Sequence, residues 1–312
     1  MIPFAFVFPG QGSQAVGMLD AWGDHPAVAA TLAEASAALG QDLGALIRTG
    51  PKSDLDLTEN TQPVMLTAGI ACYRAWLAES GRVPQWVAGH SLGEYTALVA
   101  AGALDLDEAL PLVRLRARAM QRAVPVGKGA MAAILGLDAD QVEAGCAAVR
   151  AETGEPVQAA NFNDPKQTVI AGSAAGVEAA CTWMKANGAK RALPLAVSAP
   201  FHSALMKPAA QALQEALPAV GLRRPAIRVI NNIDVASPEA PDDIRDALVR
   251  QAFGAVRWVE VVQALAAGGA QAVVECGPGK VLSGLVKRIA PDLKTGCITD
   301  PASLAEVKAL LA

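Results

Sequence analysis

The chain contains no C-x-x-C pair and only three histidines, so no zinc-ligand cluster is written into it, and no metal or redox cofactor is expected. Its five cysteines, at 72, 146, 181, 276 and 297, are odd in number and widely scattered. That pattern suits a reducing setting better than a disulfide framework, and a cytoplasmic location is expected. A basic excess is also missing. Lys+Arg is 26 against Asp+Glu 30, for a net charge of −4, which argues against a nucleic-acid binder. Aromatic residues are only 4% of a chain that is 52% hydrophobic, so the apolar surplus is aliphatic and Ala-rich. This composition suits tightly packed helices and lies far from disorder. Apolar runs such as Thr96–Leu104 fall short of the ~20 residues that cross a membrane. The first residues, Met1-Ile2-Pro3-Phe4-Ala5-Phe6, lack a basic n-region, so no signal peptide is expected. There is no internal repeat and no low-complexity linker.

What remains is a globular α/β pattern. At 312 residues the chain has room for about two domains. Ala5–Phe8 predicts a buried strand ended by Pro9-Gly10, and Ala27–Leu39 a helix. A second helix is expected from Thr61-Gln62-Pro63, with the proline at a first helical position, to Ala78. Gln85–Gly89 predicts a buried strand and Leu92–Ala101 the helix after it, the alternation of a parallel sheet. Between Pro125-Val126-Gly127 and Ala199-Pro200 the pattern changes to strand (130–136), helix (139–150), strand (157–161), strand (168–171), helix (174–187), strand (191–197). That β-α-β-β-α-β order is ferredoxin-like. The expected division is therefore a large α/β domain, 1–126 and 198–312, with a small inserted domain at 127–197. After the insertion come a helix at 204–217, a strand at 227–230, helices near 242–252 and 257–267, and a strand at 272–276. The Gly277-Pro278-Gly279 turn then leads into a helix through Leu285.

Gly89-His90-Ser91-Leu92-Gly93 is a G-x-S-x-G sequence between a predicted strand and a predicted helix, the context of a nucleophile elbow. Outside that context it would be an ordinary glycine-rich turn. A serine nucleophile needs a base. His25 sits in an early polar segment and His90 is held in the elbow, which leaves His202 in Ser198-Ala199-Pro200-Phe201-His202-Ser203. A third, acidic member is not evident. Asp105, Asp107, Asp138, Asp140 and Asp164 lie between serine and histidine without a telling context, so a dyad oriented by a backbone carbonyl is permitted. On the helix around 112–120, Leu112, Val113, Ala119 and Met120 lie within about 60° of Arg116, while Arg114 and Arg118 lie about 160° away. Arg116 thus shares the apolar face. It is half of a structural ion pair, a snorkelling side chain, or a fork for a substrate carboxylate. The Pro9-Gly10-Gln11-Gly12-Ser13-Gln14 loop could lay N–H groups over an active site but lacks the spacing and lysine of a phosphate loop.

Taken together, Phe8–Gln14, Thr61-Gln62-Pro63, Gly89-His90-Ser91-Leu92-Gly93-Glu94-Tyr95, Arg116 with Met120-Gln121, Asn161-Phe162-Asn163, Pro200-Phe201-His202-Ser203, Asn231-Asn232 and Glu275–Gly279 resemble the malonyl-CoA:acyl carrier protein transacylases of fatty acid synthesis. The matches run in family order over nearly the whole chain. The resemblance implies an α/β-hydrolase-like core with a short parallel sheet and a ferredoxin-like insertion. It implies Ser91 as acylated nucleophile and His202 as base, then acid. Gln11 and the N–H of Leu92 would form the oxyanion hole, and Arg116 would bind the malonyl carboxylate. Gln62, Asn161, Asn163, Phe201 and Met120 would contact substrate, and the main-chain carbonyl of Gln251 would orient the histidine. Phe201, just before the histidine, is the malonyl-type choice and disfavours methylmalonyl. The implied reaction is ping-pong malonyl transfer from malonyl-CoA to the phosphopantetheine thiol of an acidic acyl carrier protein, with no metal and no cofactor. Lys185, Lys190, Arg191, Lys280, Lys287 and Arg288 are the expected basic rim for that carrier. The alternatives are a discrete acyltransferase serving a polyketide synthase, a serine esterase or thioesterase, and a non-catalytic scaffold that binds carrier protein.

Overall fold

Phe4-Ala5-Phe6-Val7-Phe8 is buried on both faces, which explains its unbroken apolar run. Phe4, Phe6 and Phe8 point to one side, where edge-on rings of Tyr73 and Trp76 meet them. Ala5 and Val7 point to the other, against Trp258, Val261 and Val262. The chain is thereby committed to a sheet with helices on both faces.

The computed structural model describes residues 2–197 and 199–312. Its elements are β1 (Phe4–Phe8), α1 (Pro26–Leu39), α2 (Leu43–Thr49), α3 (Lys52–Leu55), α4 (Thr58–Ser80), β2 (Trp86–Gly89), α5 (Gly93–Ala100) and α6 (Leu106–Ala123). They continue with β3 (Gly129–Leu135), α7 (Ala139–Thr153), β4 (Val157–Asp164), β5 (Gln167–Ser173), α8 (Ala174–Ala186) and β6 (Arg191–Pro194). The last are α9 (Lys207–Ala216), β7 (Arg228–Ile230), α10 (Pro241–Gln251), α11 (Trp258–Ala267), β8 (Ala272–Cys276), α12 (Val281–Ile289), β9 (Lys294–Ile298) and α13 (Pro301–Leu310).

Five strands form a parallel sheet in the order β7-β2-β1-β8-β9. In its register Phe8 stands beside Gly89, so the loop after β1 and the turn after β2 leave the same end of the sheet. Ligands bind at that carboxyl end in open α/β sheets. The other four strands form an antiparallel sheet in the order β4-β5-β3-β6, and with α7 and α8 they make the expected ferredoxin-like unit. One face of this sheet packs on α7 and α8 through Ile134, Val142, Val177 and Met184. Its other face carries Met131, Ala133, Val169 and Ala171 and meets Val197 and Phe201. At β4 this sheet is tied to the segment between α10 and α11. The Val256 N–H donates to Ala160 O and the Phe162 N–H to Val256 O, each at 2.9 Å.

Four details depart from the sequence expectations. Pro63 is the sixth residue of α4, not its start, because the helix begins at Thr58, where the N–H groups of Asn60 and Thr61 already bond Leu57 O. The expected helix over 204–217 is a 3₁₀ turn (Ala204–Met206), then α9, then a second 3₁₀ turn (Leu217–Ala219), since Pro208 and Pro218 each remove an N–H donor. The strand expected over 191–197 stops at Pro194. The helix after Gly279 runs on to Ile289 rather than ending at Leu285. Of the expected domain limits, Met1 and Ser198 lie outside the described residues. Among the described residues no helix is long and apolar enough to cross a membrane.

Candidate active site

Ser91 follows β2 and precedes α5 with φ at +54°, a left-handed conformation that a serine adopts only when its surroundings hold it there. The flanking glycines make the turn possible. A Cβ on Gly93 would lie 2.1 Å from Phe8 O, and one on Gly89 would lie 1.8 Å from the Gly93 carbonyl. Asn232 clamps the turn from the far side. Its Oδ1 accepts the Ser91 N–H at 2.7 Å, and its Nδ2 donates to Gly89 O at 2.7 Å. Among the described residues the Leu92 N–H has no protein acceptor, and it sits at the start of α5, where the helix dipole favours negative charge.

His202 also has a positive φ, +57°. Its Nε2 lies 2.6 Å from Ser91 Oγ. Its Nδ1 faces two carbonyl oxygens, Gln251 O at 2.9 Å and Gly254 O at 3.2 Å. Carbonyls only accept, so the proton sits on Nδ1 and the Nε2 lone pair faces the serine. None of the five aspartates considered for a third member reaches the ring. Asp105 pairs with Arg223, Asp138 with Lys166 and Asp164 with Arg288, while Asp107 and Asp140 are exposed in the first turns of α6 and α7. Burial, and then the charge of Arg116, hold the His202 imidazolium down to about 3. The imidazole is therefore neutral near neutral pH.

The other two histidines have separate tasks. His25 caps α1, its Nδ1 accepting the Ala27 N–H at 3.2 Å. His90 lies half-buried beside the serine, its Nε2 2.8 Å from Asn163 Oδ1 on β4. Burial lowers its pKa.

Arg116 is 1% exposed. Its partners are all neutral: Gln62 Oε1 at 2.8 Å, Gln251 Oε1 at 3.1 Å and Ser91 Oγ at 3.2 Å. Its carbon centre lies 5.4 Å from the Tyr95 ring centroid. Among the described residues it forms no ion pair, and its Nε has no hydrogen-bond partner. Of its neighbours on α6, Arg114 bonds Gln41 and Arg118 pairs with Glu59 at the surface, as the face analysis requires. A buried cation without a directly bonded counter-charge is costly, and here it stands beside the serine hydroxyl.

These groups open on a cavity of about 200 Å³ between the two sheets. Gln11, Gln62, Arg116, Asn161 and Asn163 line it with the serine and histidine. Met131, Val169, Leu195, Val197 and Phe201 supply an apolar wall. Gln11 is exposed at its mouth, with Nε2 3.4 Å from Thr58 Oγ1. Met120 lies one turn beyond Arg116 and is buried in the core rather than in the cavity wall. The six basic residues of the expected rim are all exposed, and Arg288 is engaged by Asp164 at 2.7 Å. Among the described residues no group of three or more His, Cys, Asp or Glu side chains is placed to hold a metal ion.

Sequence reasoning missed three supports: Asn232, the Gly254 carbonyl and Glu94. Glu94 is 2% exposed, and its Oε2 accepts the Asn232 N–H at 2.8 Å and Gln251 Nε2 at 3.0 Å. Burial pushes its pKa up to about 7, against those hydrogen bonds and the charge of Arg116. Its place two residues after the elbow's Leu92, on a helix with no other acid, was the available signal.

Known proteins resemble this chain over nearly its whole length. The acyl transferase domain family matches residues 5–295. The malonyl CoA-acyl carrier protein transacylase of Escherichia coli K12 is 51% identical over 306 residues, covering 98% of each chain. The acyl-carrier-protein S-malonyltransferase of Burkholderia pseudomallei 1710b has a TM-score of 0.96 at 62% identity, over 98% of this chain and 99% of that one. A malonyl-transacylase in complex with a type II polyketide synthase acyl-carrier protein has a TM-score of 0.95 at 48% identity, over 97% and 98%. The chain belongs to the acyl transferase family and, within it, to the malonyl CoA-acyl carrier protein transacylases.

Proposed function

We propose that this chain transfers the malonyl group from malonyl-CoA to the phosphopantetheine thiol of acyl carrier protein, for fatty acid biosynthesis, with Ser91 carrying the acyl group between the two. The observation that carries the site assignment is Arg116: a buried guanidinium with only neutral partners, 3.2 Å from Ser91 Oγ. An acyl group that ends in a free carboxylate supplies a directly bonded counter-charge when it is attached to that oxygen.

The steps follow from the geometry. His202 Nε2 takes the Ser91 Oγ proton, and Oγ bonds to the malonyl thioester carbonyl carbon. The oxyanion is held by the main-chain N–H groups of Gln11 and Leu92. The C–S bond breaks, and the coenzyme A sulfur leaves with the proton from His202. The carrier thiol then gives its proton to His202 and attacks the ester carbonyl, and Ser91 Oγ leaves and regains a proton. Gln251 and Gly254 carbonyls keep the ring in the tautomer both halves need. Pairing of the acyl carboxylate with Arg116 also cancels part of the charge that depresses His202, so the base strengthens as the correct donor arrives.

Gln62, Asn161, Asn163 and Phe201 are placed to contact the acyl group and its thioester, Met120 supports the Arg116 face from the core, and no cofactor takes part. The division into a large domain (1–126 and 198–312) and a small one (127–197) puts the cavity between them. The exposed lysines and arginines at 185, 190, 191, 280, 287 and 288 form the face for an acidic carrier, and the setting is the cytoplasm. Service to a polyketide synthase carrier is the second reading, favoured by the complexed relative. Purified holo carrier proteins from both pathways, each incubated with malonyl-CoA, test the assignment. Malonylated carrier thiol is expected, and the faster carrier names the pathway. Rapid donor hydrolysis with no malonylated carrier would make the protein a thioesterase instead.

A further inference from the structure

Glu94 takes no part in the steps above, yet its Oε2 is the point where the parts of the site meet. Through Asn232 it reaches the Ser91 N–H and Gly89 O. Through Gln251 it reaches Arg116. The Gln251 amide has two N–H donors, and both are used, one on Glu94 Oε2 and one on Ser91 O at 3.0 Å each. Its Oε1 is thereby left facing Arg116 Nη2 at 3.1 Å. Were the amide to turn over, an NH₂ group would face the guanidinium, donor against donor, in a buried place where neither could find water.

We propose that Glu94 is a positioning residue: by accepting the Gln251 amide and the Asn232 N–H on one oxygen, it fixes which end of Gln251 faces Arg116 and so aims the guanidinium at the acyl carboxylate. This rests on the malonyl-transfer reading of the site. The acceptor oxygen does the work, not the charge. A glutamine at 94 can present its own Oε1 to both donors, whereas an aspartate draws the oxygen back by about 1.5 Å, one C–C bond. An alanine removes it.

The test compares E94Q, E94D and E94A with wild type, reading kcat/KM for malonyl-CoA and for acetyl-CoA separately. Only the malonyl group needs Arg116, so the ratio of the two reports its aim, and a general loss of folded protein lowers both alike. The expected order of that ratio is wild type, then E94Q close behind, then E94D, then E94A, with the last down by about 10²-fold, as for a misplacement near 1 Å. If E94D keeps the wild-type ratio, or if E94Q loses it as far as E94D does, the proposal is overturned, whether or not E94A folds. A wild-type protein that takes no malonyl label on Ser91 would sink the functional reading itself. A labelled wild type that E94D matches would sink only the role of Glu94.

Discussion

Ser91 and His202 come from segments 111 residues apart, each holds a left-handed backbone (φ +54° and +57°), and their side chains meet at 2.6 Å. Val235 is the only other non-glycine with positive φ among the described residues. Backbone strain of this kind costs roughly 1–3 kcal/mol per residue and persists only where the surroundings enforce it. Here Asn232 enforces it at the serine, and the two carbonyls on Nδ1 together with the Ser203 Oγ bond to Pro200 O enforce it at the histidine. The strain places a hydroxyl and an imidazole face to face above the sheet.

The elbow tolerates no side chain at its second glycine. Gly93→Ala would put a methyl 2.1 Å from Phe8 O, which is main chain of a central strand and has nowhere to go. Stability should fall by about 2–4 kcal/mol, in the range of severe overpacking. Denaturant unfolding monitored by circular dichroism measures it, and a midpoint equal to wild type would mean that the turn is looser than described.

Replacing Arg116 separates recognition from chemistry. Arg116→Ala should lower kcat/KM for malonyl-CoA by about 10²–10³-fold, the loss expected for one member of a buried charge pair. Acetyl-CoA, which has no carboxylate, should lose far less. Steady-state rates with both donors decide the matter, and equal losses would remove the carboxylate from the guanidinium.

The pH dependence follows from His202. Its conjugate acid is held down to about 3, so the ring stays unprotonated well below the ordinary imidazole value of about 6.5. Inactivation of Ser91 by a neutral phosphonofluoridate should therefore hold its rate from pH 7.5 down past about 6.5. In Arg116→Ala one cause of the depression is gone, and the acid limb should move upward toward 6.5. A wild-type limb centred at the ordinary imidazole value would show that the ring is more solvated than its 2% exposure implies.

The residues proposed to carry the chemistry are legible because each leaves a local mark. Ser91 lay in a five-residue motif between recognisable elements, His202 survived elimination among three, and Arg116 betrayed itself by sharing a helix face with leucine and valine. The residues that hold them leave fainter marks, quoted within motifs at Glu94 and Asn232 but with no role attached. The Glu94 bonds to Asn232 and Gln251 span 138 and 157 positions, and hydrogen bonds across such separations have no periodic trace. Likewise β9 (Lys-Thr-Gly-Cys-Ile) is an edge strand without alternation, and α2 and α3 are too short for a helical pattern to stand out. α13 does carry a local start signal, since Asp300-Pro301 followed by Ser303 is a cap, an N1 proline and a capping box.

The central claim is that the malonyl group passes through an ester on Ser91. Brief incubation with isotope-labelled malonyl-CoA, acid quench and peptide mapping, followed by a chase with holo carrier protein, tests it most directly. The account predicts label on the Ser91 peptide within the first turnover, moving to the carrier thiol at a rate no slower than steady-state turnover. Malonylated carrier formed while Ser91 stays unlabelled would contradict it.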